Sequence, residues 1–232
     1  MAGEDELKLF GTWVSPCVAR VKIALHLRGL SYEYVEQDLD NKSDLLLTSN
    51  PVHKKVPVLI HNGKPICESV VILEYINDAY GTVGPSLLPV DPYERAIARF
   101  WVDYIEHKLV IPWKVAFTAN REEEKTEGIK QMLAGVKTLE GALKECANGK
   151  PFFSGDNVGY VDIALGGLLA FLQGTEELCG TKLFDITNTP LLIAWVESFS
   201  ALDAAKAVLP DVDKLVEFAK IRRAQIAASI KN

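Results

Sequence analysis

The chain has 232 residues, of which 48% are hydrophobic and 24% are charged, a composition typical of globular proteins rather than disordered ones. The longest stretch without a charged residue, from Ile163 to Thr175, has 13 residues, whereas a membrane-spanning helix needs about 20. The net charge is −6, and residues 1–82 and 83–232 share it equally, with 8 basic against 11 acidic and 17 against 20 side chains. Neither half is therefore specialised for binding nucleic acid or an anionic membrane.

The N-terminus and the cysteines predict a cytoplasmic protein. The first residues are acidic and lead directly into a strand-like segment, unlike a secretory signal, which begins with basic residues followed by an apolar run. Cys17, Cys67, Cys146 and Cys179 lie far apart in the sequence. This spacing disfavours a disulfide framework or a structural zinc site.

The first 82 residues alternate between strand and helix patterns. A hydroxyl and a proline at Ser15-Pro16 predict a helix start, and Asn62-Gly63 predicts a tight hairpin. The predicted strands are 7–10, 32–37, 56–60 and 65–67, and the predicted helices begin at 15, 44 and 69. The order is β-α-β-α-β-β-α.

Glycine and prolines in 83–90 predict a linker, and the chain beyond it has helical periodicity. The predicted helices run from Asp91 past Ile111 and over 122–146, 160–173, 190–200 and 211–229. We therefore predict a small α/β domain over 1–82 and an all-helical domain over 91–232.

Three segments of the first domain carry candidate chemistry. Ser15 follows a strand and begins a helix, where free backbone N–H groups stabilise an anion such as a thiolate; a simple helix cap is the alternative. Val56-Pro57 opens a strand, and a cis peptide bond there would expose the Val56 backbone to an extended peptide, although an edge strand explains the proline equally well. Glu68 and Ser69 lead into a helix and offer sites for an ammonium and a carboxylate, with capping as the alternative.

Lys42 and Lys55 are candidates for holding a second carboxylate, although most lysines are simply solvated. Together the sites fit a ligand with a thiol, two carboxylates, an ammonium and a peptide backbone. Glutathione is such a molecule.

The stretch Ser15-Pro16-Cys17, the segment 50–59 (NPVHKKVPVL) and Glu68-Ser69 resemble a plant tau-class glutathione transferase, and the similarity extends to Asp91-Pro92 and Asp162. The resemblance implies a thioredoxin-like N-terminal domain, a C-terminal helical bundle and a cytosolic homodimer. It also implies conjugation of glutathione to hydrophobic electrophiles, including herbicides, as detoxification, with possible reduction of organic hydroperoxides. Glutathione is then a co-substrate, and neither a cofactor nor a metal is required.

By position, the resemblance makes Ser15 the catalytic hydroxyl, a donor to the glutathione sulfur, with Arg20 as a weaker supporting candidate. It places Lys42 and Lys55 at the glycyl carboxylate, the Val56 backbone at the cysteinyl unit, and Glu68 and Ser69 at the γ-glutamyl end. The implied hydrophobic substrate site comprises Trp13, Cys17, Val110, Lys114, Phe171 and Phe218; core packing is the alternative for its apolar members.

Two features depart from the family. Cys17 stands where the family commonly has an aromatic or other residue, which leaves a Cys17-dependent thiol reductase as an alternative. Gly159 stands where the family's capping box has serine or threonine, which bears on helix stability rather than on catalysis. A non-catalytic carrier of hydrophobic ligands with the same fold is the other alternative, because fold alone does not decide function.

Overall fold

The computed structural model describes residues 6–81, 84–119 and 121–229. Residues 82 and 83, at the predicted boundary between the first domain and the linker, lie outside this set. The described strands all belong to the N-terminal unit, and the predicted β-α-β-α-β-β-α order and helical second half are confirmed. None of the described helices is both long and apolar enough to cross a membrane.

As far as residues 6–81 describe it, the N-terminal unit is a four-stranded sheet with three helices. Its elements in chain order are β1 (Leu7–Gly11), α1 (Pro16–Leu27), β2 (Glu33–Glu36), α2 (Asp44–Ser49), β3 (Val58–His61), β4 (Lys64–Cys67) and α3 (Ser69–Ala79). The strand order is β2-β1-β3-β4, with β1 parallel to β2 and antiparallel to β3. Asn62 and Gly63 both have positive φ, 50° and 78°, as a tight β3–β4 hairpin requires.

Among the described residues, the C-terminal unit contains eight further α-helices. They are α4 (Pro92–Ile105), α5 (Ile111–Thr118), α6 (Glu122–Ala147), α7 (Tyr160–Gly166), α8 (Leu169–Cys179), α9 (Pro190–Ser200), α10 (Asp203–Val208) and α11 (Val212–Ser229). Two of the predicted helices are divided, one between α7 and α8 and one after α4, and the short α10 was not predicted. The predicted helix from Asp91 past Ile111 is divided by a π-helical turn over Glu106–Val110.

Proline explains this π-helical turn. Pro112 has no N–H to donate to the carbonyl of Lys108, and its ring would collide with that carbonyl in a regular α-helix. In the π-helical turn each backbone hydrogen bond spans one residue more than in an α-helix, and the helix can therefore continue as α5. Every side chain after the turn is therefore displaced by about one position from the face that a regular 3.6-residue period predicts.

The two units meet along the first half of α1. Arg20 is completely buried there; its Nε donates to the Ala164 carbonyl at 2.8 Å, and its guanidinium pairs with Glu106. A side chain at Gly167, between α7 and α8, would lie 2.9 Å from the Arg20 backbone nitrogen and 3.0 Å from the Pro16 carbonyl oxygen. The lack of a side chain at Gly167 thus lets the C-terminal unit pack directly on the helix that begins at Ser15.

Candidate functional site

The register of the sheet brings the three predicted glutathione segments to one edge. Phe10 pairs with Val58, and Val58 pairs with Cys67, so the end of β1, the start of β3 and the end of β4 coincide. Gly11 pairs with Glu36, so the segment after β2 leaves from the same edge. Residues separated by more than 50 positions in the sequence are therefore neighbours around the N-terminus of α1.

Ser15 is the N-cap of α1. Its Oγ accepts a hydrogen bond from the Val18 N–H at 3.3 Å, and its own N–H donates to the Thr12 carbonyl at 3.2 Å. The side chain is only partly buried and lines a cavity of about 340 Å³. An anion at this place would meet a hydroxyl, free helix N–H groups and the positive end of the helix dipole.

The segment before β3 is held in shape by Asn50. Its Nδ2 donates to the Lys55 carbonyl at 3.0 Å, and its Oδ1 accepts from the His53 N–H at 3.1 Å. The Val56–Pro57 bond is cis, and Val56 itself is half-buried. Lys55 is exposed, as is Lys42, which lies just before the Ser43 cap of α2.

Glu68, rather than Ser69, is the N-cap of α3, and its side chain makes no capping hydrogen bond. Glu68 has φ 71° and ψ 120°, a strained conformation that costs non-glycine residues about 1–3 kcal/mol. Its carboxylate is exposed and lies 3.8 Å from His53 Nε2, whereas Ser69 is buried as the first residue of α3. The local strain directs the Glu68 carboxylate away from a capping role and toward solvent at the sheet edge.

A larger cavity, of about 580 Å³, lies between the two units. It shares Thr12 and Trp13 with the cavity that contains Ser15. Its walls come from the segments after β1 and β2 and from α5, α8 and α11. The aromatic and larger aliphatic side chains that line it are Trp13, Val14, Leu39, Trp113, Phe117, Phe171, Leu178, Leu215, Val216, Phe218 and Ile221.

Three of the six residues predicted for the hydrophobic site line this cavity. Trp13 and Phe218 contact each other edge to face, with ring centroids 5.5 Å apart, and Phe171 packs against Trp113 in the same way at 5.6 Å. These rings form an apolar surface directly beside the N-terminus of α1.

Cys17, Val110 and Lys114 do not line either cavity. Cys17 is half-buried in the first turn of α1, Lys114 is exposed, and Val110 is buried in the core. The residues of α5 that reach the large cavity are Trp113 and Phe117.

The other lining residues that sequence reasoning missed lie mainly on α11 and after β2. On α11, Leu215, Ala219 and Arg222 recur at a spacing of four and three residues on the same face as the predicted Phe218, a helical-face signal that indicates burial but not its partner. Arg222 reaches across to Asp40, with Nη1 at 2.7 Å from Oδ2 and the second nitrogen on the other oxygen. The Arg222 guanidinium holds the pKa of Asp40 below its usual range, so that Asp40 stays ionised.

The described charged residues that line the large cavity are Glu36, Asp38, Asp40 and Arg222, and those that line the smaller one are Lys22, Asp211 and Lys214. Burial lowers the pKa of Lys22, whose ammonium lies 4.4 Å from the centre of the Tyr34 ring. Within residues 6–81, 84–119 and 121–229, no group of three histidine, cysteine or acidic side chains is placed to hold a metal ion.

Comparison with known proteins agrees with this arrangement. The family model for the glutathione S-transferase N-terminal domain matches residues 5–78, and that for the C-terminal domain matches residues 94–203. The probable glutathione S-transferase GSTU6 of Oryza sativa subsp. japonica is 52% identical over 223 residues, which cover 94% of each chain.

Two solved structures extend the likeness to three dimensions. The tau-class glutathione S-transferase of mango, Mangifera indica, is 46% identical, with a TM-score of 0.88 over 93% of this chain and 98% of its own. Rice GST1, solved in complex with glutathione, is 37% identical, with a TM-score of 0.86 over 97% of this chain and 99% of its own. The chain therefore belongs to the glutathione S-transferase family, and the predicted resemblance to a plant tau-class glutathione transferase is confirmed.

Proposed function

We propose that the protein conjugates glutathione to hydrophobic electrophiles, with the Ser15 hydroxyl stabilising the glutathione thiolate. The observation that carries this proposal is the position of Ser15. It caps α1 in a cavity that shares Thr12 and Trp13 with the apolar cavity between the two units. A sulfur bound beside Ser15 would thus lie next to a surface of aromatic rings.

The sheet edge supplies groups for each end of glutathione. We assign the exposed ammonium groups of Lys42 and Lys55 to the glycyl carboxylate and the Val56 backbone to the cysteinyl unit. We assign Glu68 to the γ-glutamyl ammonium and Ser69, at the N-terminus of α3, to its carboxylate. The register of β1, β3 and β4 supports this assignment, because it gathers these segments around Ser15. The glutathione complex of rice GST1, at 37% identity, also supports it.

The chemistry requires only a shift in the ionisation of one thiol. A free thiol has a pKa of about 8.5, so most of it is protonated at neutral pH. A hydrogen bond from the Ser15 hydroxyl and the N-terminus of α1 both favour the anion, and a pKa lowered by one is worth about 1.4 kcal/mol. Ser15 stays protonated and acts as a donor, as groups in an oxyanion hole do.

The thiolate then attacks an electrophilic carbon held in the large cavity. With a chloronitrobenzene, the sulfur electron pair forms the C–S bond, the C–Cl bond breaks, and chloride leaves with that bond's electrons. The thiol proton has already passed to solvent, so atoms and charge balance. Trp13, Phe171 and Phe218 are the residues that we assign to this electrophile.

The biological role that we infer is detoxification of hydrophobic foreign compounds in the cytoplasm. The same thiolate can reduce an organic hydroperoxide by attacking its O–O bond. A second glutathione then serves as co-reductant, and the products are an alcohol, water and glutathione disulfide.

Replacement of Ser15 tests the mechanism. We expect Ser15→Ala to bind glutathione with a nearly normal Kd but to lose about 100-fold in kcat toward 1-chloro-2,4-dinitrobenzene, the typical cost of removing one oxyanion donor. The pH profile of kcat/KM should move to higher pH, because the thiol of the bound glutathione ionises less readily. Ser15→Thr, which keeps a hydroxyl, should restore part of the activity.

A cap-loss control separates catalysis from stability, because Ser15→Ala also removes a helix cap worth about 1 kcal/mol. Asp91 caps α4 by accepting from the Tyr93 and Glu94 N–H groups, both at 2.9 Å, so Asp91→Ala removes a comparable cap elsewhere. Asp91→Ala should keep its conjugation activity. Full activity and an unshifted pH profile in Ser15→Ala would refute the assigned role, whereas failure of the wild-type protein to bind glutathione would refute the function.

We also propose a homodimer, as the family resemblance implies. Val71 on α3 and Phe100 on α4 are 52% and 56% exposed and flank the ion pair between Glu74 and Arg99. Burying this patch in a second copy would remove exposed apolar surface from water. Light scattering should give twice the chain mass of 25.6 kDa, and a monomeric mass would refute the proposal.

A further inference from the structure

The large cavity has apolar walls, but its charged groups are not balanced. Among the residues that line it, Glu36, Asp38 and Asp40 are acidic and Arg222 is basic, and the others carry no charge. All three carboxylates come from the segment that ends β2 and follows it. The charge at this edge of the cavity is therefore set by five consecutive residues of the N-terminal unit.

Arg222 forms an ion pair with only one of the three carboxylates, although Asp38 also lies within its electrostatic reach. The Arg222 guanidinium and the Asp40 carboxylate form two hydrogen bonds, and the two opposite charges neutralise each other. Glu36 instead accepts hydrogen bonds from two neutral donors, the Trp13 N–H at 3.1 Å and the Tyr34 hydroxyl at 2.7 Å. Asp38 accepts from the Asp40 N–H at 2.9 Å. The described residues that line the cavity thus carry an excess of two negative charges beside an apolar surface, and the Lys22 ammonium of the smaller cavity offsets part of the Glu36 charge.

Two lysines line the other cavity. Lys22 and Lys214 line the cavity that contains Ser15, together with Asp211. That cavity is suited to the anionic sulfur, whereas the cavity for the electrophile has carboxylates at its edge. A negatively charged electrophile entering the large cavity would approach Glu36 and Asp38 while losing water to the aromatic walls.

We propose that the large cavity selects uncharged or cationic aromatic electrophiles and discriminates against anionic ones, with Asp38 and Glu36 as the residues that determine this specificity. The inference rests on the proposed function, because it concerns the electrophile of the same reaction. Each solvent-exposed carboxylate within about 8 Å of a ligand charge changes its affinity about two- to threefold at low ionic strength. Two of them amount to about fivefold.

The test uses three electrophiles that share one reactive carbon. They are 4-chloro-3-nitrobenzamide, which is neutral; 4-chloro-3-nitrobenzoate, which is anionic; and the benzamide with a trimethylammonioethyl group on its amide nitrogen, which is cationic. For each, kcat/KM is divided by the uncatalysed rate constant with glutathione, which removes differences in intrinsic reactivity. At 20 mM ionic strength we expect the amide to exceed the benzoate about fivefold and the cation to match or exceed the amide.

Salt and substitution distinguish the carboxylates from the apolar wall, which by itself also disfavours an anion. The preference for the amide should shrink markedly at 0.5 M salt, because exposed charges are screened there. Asp38→Asn keeps an oxygen that can accept from the Asp40 N–H, and it should reduce the amide-to-benzoate ratio two- to threefold.

Glu145→Gln is the matched control, because it removes one negative charge far from the cavity. Glu145 lies 17 residues along α6 from Gly128, where α6 contacts α5, which is about 25 Å of helix. Its amide-to-benzoate ratio should equal that of the wild type.

The inference is overturned if the wild type shows no preference or favours the benzoate at low salt, or if Asp38→Asn keeps the wild-type ratio. In those cases the proposed function would still stand if the wild type conjugates the amide and the Ser15→Ala variant does not. Absence of conjugation with all three compounds would overturn both.

Discussion

Gly159 is the residue at which the chain departs from the family's capping box, and the structure explains the departure by space. Asp162 supplies the other half of the box, accepting from the Gly159 N–H at 3.0 Å. A Cβ on Gly159 would lie 2.6 Å from the Ser154 Cβ and closer still to the Ser154 hydroxyl. The backbone of Gly159, with φ −123° and ψ −166°, is open to any residue. Space alone therefore requires glycine here.

The substitution Gly159→Ser should destabilise the protein although it introduces the preferred capping residue. Forcing extra atoms into packed structure costs about 1–3 kcal/mol. For a chain of this size, 1 kcal/mol corresponds to about 2–4 °C in Tm, so a cost of about 2 kcal/mol lowers Tm by about 4–8 °C. The double variant Ser154→Gly with Gly159→Ser removes the collision and should return to the wild-type Tm or exceed it.

The wild type, the two single variants and the double variant form a double-mutant cycle. Their Tm values are measured by far-UV circular dichroism at one protein concentration, because oligomerisation shifts Tm. Gly141→Ser is the matched control, because a Cβ at this position in α6 meets nothing within 4 Å. It should be neutral or stabilising by a few tenths of a kcal/mol, since serine is a better helix former than glycine. Our reasoning fails if Gly159→Ser melts with the wild type, or if the double variant is no more stable than Gly159→Ser.

Three further predictions follow from the site and its support. Glu68→Ala should raise the KM for glutathione about tenfold with little change in kcat, because the γ-glutamyl ammonium loses its partner; an unchanged KM in steady-state kinetics would remove this assignment. Phe218→Ala should raise the KM for an aromatic electrophile about two- to tenfold, because the variant loses the stabilisation from the ring contact with Trp13. The KM for glutathione should stay constant, and equal changes in both KM values would contradict the cavity assignment. Burial raises the pKa of Asp162 from 3.8 to about 6, so between about pH 4 and 6 the native protein binds a proton that the unfolded chain has lost, and the free energy of unfolding should fall by about 3 kcal/mol as pH rises through this window. Asp162→Asn should lack this slope in urea titrations, and an identical slope would show that another group is responsible.

Much of the candidate glutathione site follows from local sequence because its parts are local. The Ser15-Pro16 pair specifies a helix start, Asn62-Gly63 specifies a hairpin, and the alternation Leu7-Lys8-Leu9 in β1 indicates which face is buried. Once the strands pair, their register leaves little freedom in where the flanking segments meet. The unusual conformation of Glu68 was not foreseen, because no residue-type preference signals a positive φ at glutamate.

The lining of the large cavity was predicted less completely, as α5 illustrates. Val110 and Lys114 were assigned by the family resemblance, whereas the residues of α5 that reach the cavity are Trp113 and Phe117. The π-helical turn before Pro112 changes which faces of α5 continue those of α4. Pro112 is visible in the sequence. Whether the helix bends, ends or widens at a proline depends on the helices packed against it.

Local signals predicted the order of elements and the division into a mixed and a helical part, because capping and turn chemistry act over a few residues. The side chains that form the walls of the large cavity, and the charge at its edge, follow from how distant segments pack together. The ion pair between Asp40 and Arg222 joins residues 182 positions apart, and no pattern in either segment specifies the other. Periodicity tells which face of a helix is apolar, but the partner of that face is chosen by the packing of the whole chain.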